Sequence, residues 1–521
     1  MSGQPIFILS EDSERTRGRD AQSSNIRAGK AVAESVRTTL GPKGMDKMLV
    51  GSSGDVVITN DGATILDKMD IEHPAAQMIT EVAETQEEEV GDGTTTAAVL
   101  AGQLLTKAQS LLEDDVHPTT IVEGYHEASG IAHEAIDSLT LDEELTDEQL
   151  RQVAATSMTG KGTGDVDADV LAERVVDAVN HVREGDVVNR DSIHLESRVG
   201  GSSGSTELVE GFILDEERAH ENMPRSAEDA SVLVLDMDLE VRETEVDAEF
   251  NITNVDQLNA ALESEESELR GYATTLAEAG VDVLFCTEDI DDRVASWLAN
   301  EGILAFESVS DGDAKSIARA TGANRIGTLN DLDDADFGFA DRVRLERFGD
   351  ESELAFVEGG AEAESVTVFL RGGTEHVVDE LERAVQDAVD VVVATIRSGE
   401  VVPGAGVVEI GIAGAVRDAA ASISGRKQLA VEAFADAIEV IPRTLAENAG
   451  MDQIDALVDL RSANEGDGRA GIIAHGETGE IADPLEHGVV DPAEVKREAI
   501  DSATEAATMI VRIDDVISSG D

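Results

Sequence analysis

Gly91-Asp92-Gly93-Thr94-Thr95-Thr96 separates two helical stretches. Upstream, Pro74 is placed to open a helix that runs into Glu87-Glu88-Glu89 and breaks at Gly91. Downstream, Leu100, Leu104, Leu105, Leu111 and Leu112 recur at helical spacing, so the threonines begin a long helix. The run thus lies at a helix N-terminus, where free backbone N–H groups and hydroxyls can hold phosphate oxygens. Asp92 is in place to hold an accompanying Mg2+. An ordinary N-cap with threonines in its first turn is the plainer reading of the same residues. No G-x-x-x-x-G-K-[ST] string occurs, which removes the P-loop class of nucleotide enzymes.

Other candidates stand outward from this run. Ile26, Val32, Val36 and Leu40 mark a helix that stops at Gly41-Pro42, and Thr39-Leu40-Gly41-Pro42-Lys43-Gly44 reads as a glycine turn where backbone can approach a ligand, or as a C-cap. Met48–Val50, Val56–Thr59 and Ala63–Leu66 read as short strands joined by turns, with Asp61 in the Asn60-Asp61-Gly62 turn. Residues 145 to 183 are helical around the break Gly160-Lys161-Gly162-Thr163-Gly164, in which Lys161 is a loop charge or a mobile phosphate sensor. Asp387 lies in the helical run Leu381 to Ile396, beside Glu380, Arg383 and Asp390 and away from Leu381, Ala388 and Val392; in isolation that is a solvated face. Lysine is scarce, and Lys161 is one of nine.

At 521 residues the chain is too long for one core, and about three domains is the natural expectation. Aromatics make up 3%, so the core must come from Val, Ile, Leu and Ala. Asp and Glu total 110 against 39 Lys and Arg, a formal net charge of −71. Repulsion of that size weakens a compact state in dilute buffer and is tolerable where salt near 1 M shrinks the Debye length to about 3 Å. A molar-salt cytoplasm is the setting this implies. The acids are spread along apolar-containing segments, which makes them solvated faces and not a disordered tail. No basic cluster exists to displace phosphate counterions, so nucleic acid is not an expected partner.

Ten scattered histidines and one cysteine give no zinc spacing, and Cys286 ends a buried strand as an inert thiol. The N-terminus carries no apolar signal core and no membrane-length apolar run occurs, so the expected location is the cytoplasm, with no membrane partner. From about 230 to 365 the texture changes: Val232–Leu235, Val281–Cys286 and Ile303–Phe306 read as strands alternating with helices, as an α/β unit would. Between them, 245 to 280 is very acidic, partly helical and expected to be exposed. Past 370 long helices return, ending in one from Asp491-Pro492 to Ile510. Helical ends around a mixed middle suggest a nested layout in which the termini meet.

Together and in order, these elements resemble the group II (thermosome) chaperonins over essentially the whole chain. Thr39–Leu49, Thr59–Leu66 and Gly91–Thr96 are similar to three N-terminal signatures of that family, and Glu447–Asp452 and Ser502–Ala507 to its C-terminal pattern. The resemblance implies a multidomain α+β and α/β fold. A mostly helical equatorial ATPase domain would comprise 1–143 and 401–521, and a small intermediate hinge domain 144–210 and 366–400. An α/β apical substrate-binding domain would span 211–365, with a helical lid protrusion at about 245 to 280. It implies ATP and Mg2+ as ligands, with K+ as a further ion.

Residue by residue, the resemblance puts Gly41, Asp92, Gly93, Thr94, Thr95 and Thr96 on the nucleotide phosphates, with Asp92 also on Mg2+. Asp61 and Asp387 resemble the aspartates that position and activate the attacking water, Lys161 the lysine that senses the γ-phosphate, and Asp491 the carboxylate near ribose and base. Gly404 and Ala405 stand at a nucleotide-side turn where the family has A-G-G-G and this chain has Pro403-Gly404-Ala405-Gly406, a methyl replacing a hydrogen. The implied function is an ATP-dependent chaperone that encloses unfolded proteins. Its partners are those client proteins, further copies of itself and paralogous subunits, in two stacked eight-membered rings. A ring-forming holdase without productive turnover and a small-molecule phosphotransferase are the alternatives.

Overall fold

The computed structural model describes residues 14–52, 54–141, 145–163, 166–241, 255–330, 332–348, 352–360, 365–466, 468–475 and 478–518. They form two compact units, 1–176 with 379–521 and 177–378. The chain passes from one to the other within the helices Ala168–Val182 and Glu375–Ser398.

The first unit is helical and is built around Thr94–Glu113, whose Ala97, Val99, Leu100, Ala101, Leu104 and Ala108 are all buried. A helix buried at nearly every position from Thr94 to Leu105 must be enclosed there. Arg19–Val36, Pro74–Val90, Lys427–Ile438 and Ala493–Arg512 enclose it. With few aromatics available, the helices approach through small residues: a Cβ on Gly102 would lie 2.3 Å from Ala33 Cβ, and one on Gly124 2.5 Å from Ala430 Cβ. Tyr125 and Phe434 supply an edge-on aromatic pair, 5.8 Å between centroids. The termini do meet, strand Glu14–Arg17 pairing antiparallel with Asp515–Ser518.

One element differs from its sequence reading. Ala63–Leu66 is not a strand; it belongs to the short helix Gly62–Asp67, with Asp61 as N-cap accepting the Thr64 N–H at 2.6 Å. Consecutive Ile65 and Leu66 are both buried, which a helix turned into a corner permits and a half-exposed strand does not.

In the second unit, Ser226–Leu235, Val283–Cys286 and Leu304–Phe306 form the expected parallel layer, apolar throughout at Val232–Leu235 and Val283–Cys286 because helices follow each strand. Gly338–Phe348, Ser352–Glu358 and Gly211–Leu214 continue the sheet antiparallel. A second sheet joins Ile193–Val199, Val366–Gly372 and Glu207–Val209. Of the acidic stretch 245 to 280, residues 245–254 lie outside the described residues. Val255–Glu278 is a helix, and its C-terminal half is not wholly exposed as expected. Leu269, Tyr272, Ala273 and Leu276 recur at helical spacing and are buried in the core of this unit, while Glu263 and Glu266 remain in solvent.

Candidate functional site

In the helical unit, the Thr94 helix N-terminus opens on a cavity of about 400 Å3. Gly91 (φ 69) ends the Pro74 helix and Gly93 (φ 83) precedes Thr94, both in the left-handed region. Neither position has room for a side chain: a Cβ would lie 2.5 Å from Asp390 Cβ at Gly91, and 2.9 Å from Gln86 Nε2 at Gly93. The first ordinary helical bond runs from the Ala97 N–H to the Gly93 carbonyl (2.9 Å), leaving the N–H groups of Thr94, Thr95 and Thr96 at the cavity wall. Partial positive charge at a helix start favours an anion there.

Three amides that the sequence reading passed over hold this cradle. Gln86, fully buried, donates to the Asp92 carbonyl (2.7 Å) and the Val495 carbonyl (3.2 Å), tying the Gly91–Gly93 loop to the last long helix. Asn448 donates to the Leu40 carbonyl (2.8 Å) and the Arg37 carbonyl (3.3 Å), fixing the turn at Gly41. Asn60 donates to the Gly160 carbonyl (2.6 Å), anchoring the loop that carries Lys161. Asn60 and Asn448 lie in runs already singled out, but Gln86 among glutamates gives no signal.

Beside the cradle the structure gathers Asp61, Lys161 and Asp387. Both oxygens of Asp61 are engaged, Oδ2 by the Thr64 N–H and Oδ1 by the Thr94 hydroxyl at 3.3 Å. Lys161 Nζ donates to Asp387 Oδ2 at 2.5 Å. Asp387 is 5% exposed, so its isolated reading as a solvated helix face does not hold. Desolvation lifts its carboxyl to about 6, opposed by Lys161 and assisted by Asp61. Desolvation works to lower Lys161, but Asp387, Asp92 and Asp61 outweigh it, and the ammonium persists. Desolvation raises Asp92 as well, with Lys161 opposing. Glu87, unmarked in the sequence, shares an open cavity with Asp61 and Asp387; desolvation and those two carboxylates push it up to about 9.

The remaining wall comes from the C-terminal segment. Val401–Pro403 pairs antiparallel with Val490–Pro492, bringing Asp491 to the cavity. Gly41 (φ 84) also lines it, and a Cβ there would meet Leu445 at 2.4 Å. Ala405 lines the cavity with φ 59, a conformation that costs an L-residue about 1–2 kcal/mol. Its methyl abuts Gly471, where a Cβ would lie 2.7 Å from it, and its carbonyl accepts the Ile472 N–H at 2.9 Å. Gly404 is buried behind the wall, not on it; a Cβ there would come 3.2 Å from Asp491 Oδ2. Ile441, Leu445, Ile472, Val489 and Val495 make the apolar part, suited to a flat ring.

The arrangement combines an anion cradle, a cation and Asp61 around one cavity, with Asp387 in the adjoining cavity that Asp61 shares, the groups that cleavage of a phosphoanhydride by water needs. Among the described residues no three acidic, histidine or cysteine side chains converge as a metal cage. Asp92 alone at the cradle fits Mg2+ that arrives with phosphates, because that ion keeps most of its water and takes one or two carboxylates.

The sequence profile of the TCP-1/cpn60 chaperonin family matches residues 32–521. The chain is 68% identical over 518 residues to thermosome subunit 3 of Haloferax volcanii, covering 99% of each. It is 54% identical over 523 residues to thermosome subunit alpha of Halobacterium salinarum, covering 100% of this chain and 92% of the relative. With thermosome subunit beta of Methanothermobacter thermautotrophicus it shares 51% over 516 residues, covering 99% and 95%. Matched over almost its whole length, the chain belongs to the TCP-1/cpn60 chaperonin family, in its group II (thermosome) branch.

Proposed function

We propose that the chain hydrolyses ATP in this cavity and uses the turnover to enclose and fold unfolded proteins. The observation that carries the reading is Lys161, on the wall of the cavity with Asp61 and the Thr94 helix N-terminus, bonded to Asp387, which lines the adjoining cavity that Asp61 also borders. Gly41, Gly93 and Thr94–Thr96 hold the phosphates through backbone and hydroxyl groups, and Asp92 holds Mg2+. Bound there, Mg2+ neutralises phosphate charge. Asp61, fixed by Thr94 and Thr64, orients the attacking water, and Asp387 accepts its proton. Lys161 answers the γ-phosphate, and Asp491 takes the ribose. Ala405 shapes the wall near the nucleotide; Gly404 acts from behind it. K+ is a further ion of this site.

The three-part division that the resemblance implies would offer a way to couple chemistry to movement. Lys161 and Asp387 belong to the intermediate segments 144–210 and 366–400, Asp61 and Asp92 to the equatorial segment 1–143. Swinging the intermediate segments would assemble or break the constellation, and so tie hydrolysis to closure over the apical domain, 211–365. Several relatives are named as subunits (alpha, beta, 3), which supports assembly with paralogous chains; two stacked eight-membered rings are the assembly this reading proposes. A cytoplasmic setting agrees with there being, among the described residues, no helix long and apolar enough to cross a membrane.

Asp92→Asn tests the cradle. In about 2 to 3 M KCl, where surface charge is screened within a few ångströms, it should weaken Mg-dependent ATP binding by at least about tenfold, or about 1.4 kcal/mol. Calorimetric titration with and without Mg2+ measures this. An unchanged Kd would remove Asp92 from the metal.

A further inference from the structure

Lys496 is one of nine lysines in the chain, and its side chain is only 12% exposed. It projects from the first turns of helix Ala493–Arg512 to the cavity wall, with Nζ 2.7 Å from Asp491 Oδ2 and 3.0 Å from Glu409 Oε1. Glu409 comes from the first turn of helix Val407–Ala420 and is 5% exposed. Its Oε2 is buried with no hydrogen-bond partner. A buried carboxylate with one oxygen unsatisfied is a poor stabiliser. Its one evident use is to hold the lysine.

The triad fixes a carboxylate at the cavity. Asp491 accepts from Lys496 through Oδ2 and rests close to Gly404, where a Cβ would come 3.2 Å from that oxygen, a tight approach. With Oδ2 held by Lys496, Asp491 lines the cavity and keeps Oδ1 as a further acceptor. An aspartate on a free rotamer would have to be ordered when a ligand hydroxyl arrived; one already held need not be.

We propose that Lys496, braced by Glu409, is a positioning residue that sets Asp491 against the ribose hydroxyls and so makes the site prefer ribonucleotides to deoxyribonucleotides. This rests on the reading of Asp491 as the ribose carboxylate. A site built to hydrogen-bond a hydroxyl discriminates strongly against the analogue that lacks it.

The test compares ATP with 2′-deoxy- and 3′-deoxy-ATP in molar KCl, on wild type, Asp491→Asn and the double variant Glu409→Gln/Lys496→Met. Removing both ends of the buried pair together leaves no orphaned charge between them. Wild type should favour ATP over at least one analogue by about tenfold or more. The double variant should lose that preference, its KM for ATP rising about tenfold with kcat within about twofold, the pattern of lost uniform binding. A preference retained in the double variant but lost in Asp491→Asn overturns the role of Lys496 and leaves the ribose reading standing. A fall in kcat with KM unchanged also overturns that role. No preference in wild type, or one retained in Asp491→Asn, overturns the ribose reading itself. If the double variant does not fold, Lys496→Arg decides: the bulkier fork at the same charge should cut the preference by several-fold, and full retention overturns the proposal.

Discussion

Asp387→Asn should lower ATP turnover by about 10²- to 10⁴-fold, the range lost with a general base, while nucleotide affinity stays within a few-fold. The carboxamide keeps the shape and can still accept from Lys161, but it cannot take a proton from water. Phosphate release in molar KCl measures the first part and titration with ATP the second. The pH profile carries the same assignment. Burial holds the Asp387 carboxyl at about 6, and a base must be ionised to act, so kcat/KM should fall as pH drops through that value. For folding the sign is opposite: the raised value favours the protonated folded state, a contribution present below the ordinary carboxylate range and lost as pH rises through about 6. Turnover unchanged in Asp387→Asn would take the residue out of the chemistry.

Salt should have the other large effect. A net charge of −71 is spread over solvated faces such as Glu81, Glu84, Glu88 and Glu89 on the Pro74 helix. Going from about 3 M to about 0.1 M KCl lengthens the Debye length from under 3 Å to about 10 Å, so carboxylates that ignored one another begin to repel. The midpoint of thermal unfolding should fall by at least about 10 °C, which for large domains corresponds to a few kcal/mol. Scanning calorimetry at stepped KCl follows it, and NaCl at equal ionic strength should act alike if screening is the cause. A midpoint independent of salt would mean that ion pairs such as Arg417–Glu439–Arg461 already absorb the charge.

The cradle was legible because each part has a local signature: Pro74 opens its helix, Gly91 and Gly93 take positive φ, and the threonines begin the next helix. The Gly62 helix was not, since four consecutive residues with no period fit a strand as well, and only the Asp61 cap settles it. Asp387 looked solvated because its helix carries charge on that side. The structure turns that side inward, against Lys161 and against Gly162, where a Cβ would lie 2.7 Å from Glu380 Cγ. Pairs such as Lys496 with Glu409, far apart in sequence, and the buried amide of Gln86 leave no periodic trace. They depend on which helices meet, and that is decided by packing of the whole helical unit.

If the site works as proposed, turnover there drives folding. The direct measurement is the refolding yield of a denatured client protein in about 2 to 3 M KCl, a range in which charge is screened, with and without ATP, for wild type and Asp387→Asn. Wild type should show ATP-dependent recovery, and Asp387→Asn none above the no-ATP level although it still binds nucleotide. Equal recovery by both proteins, or protection of the client by wild type with no dependence on ATP, would contradict that reading and describe a holdase.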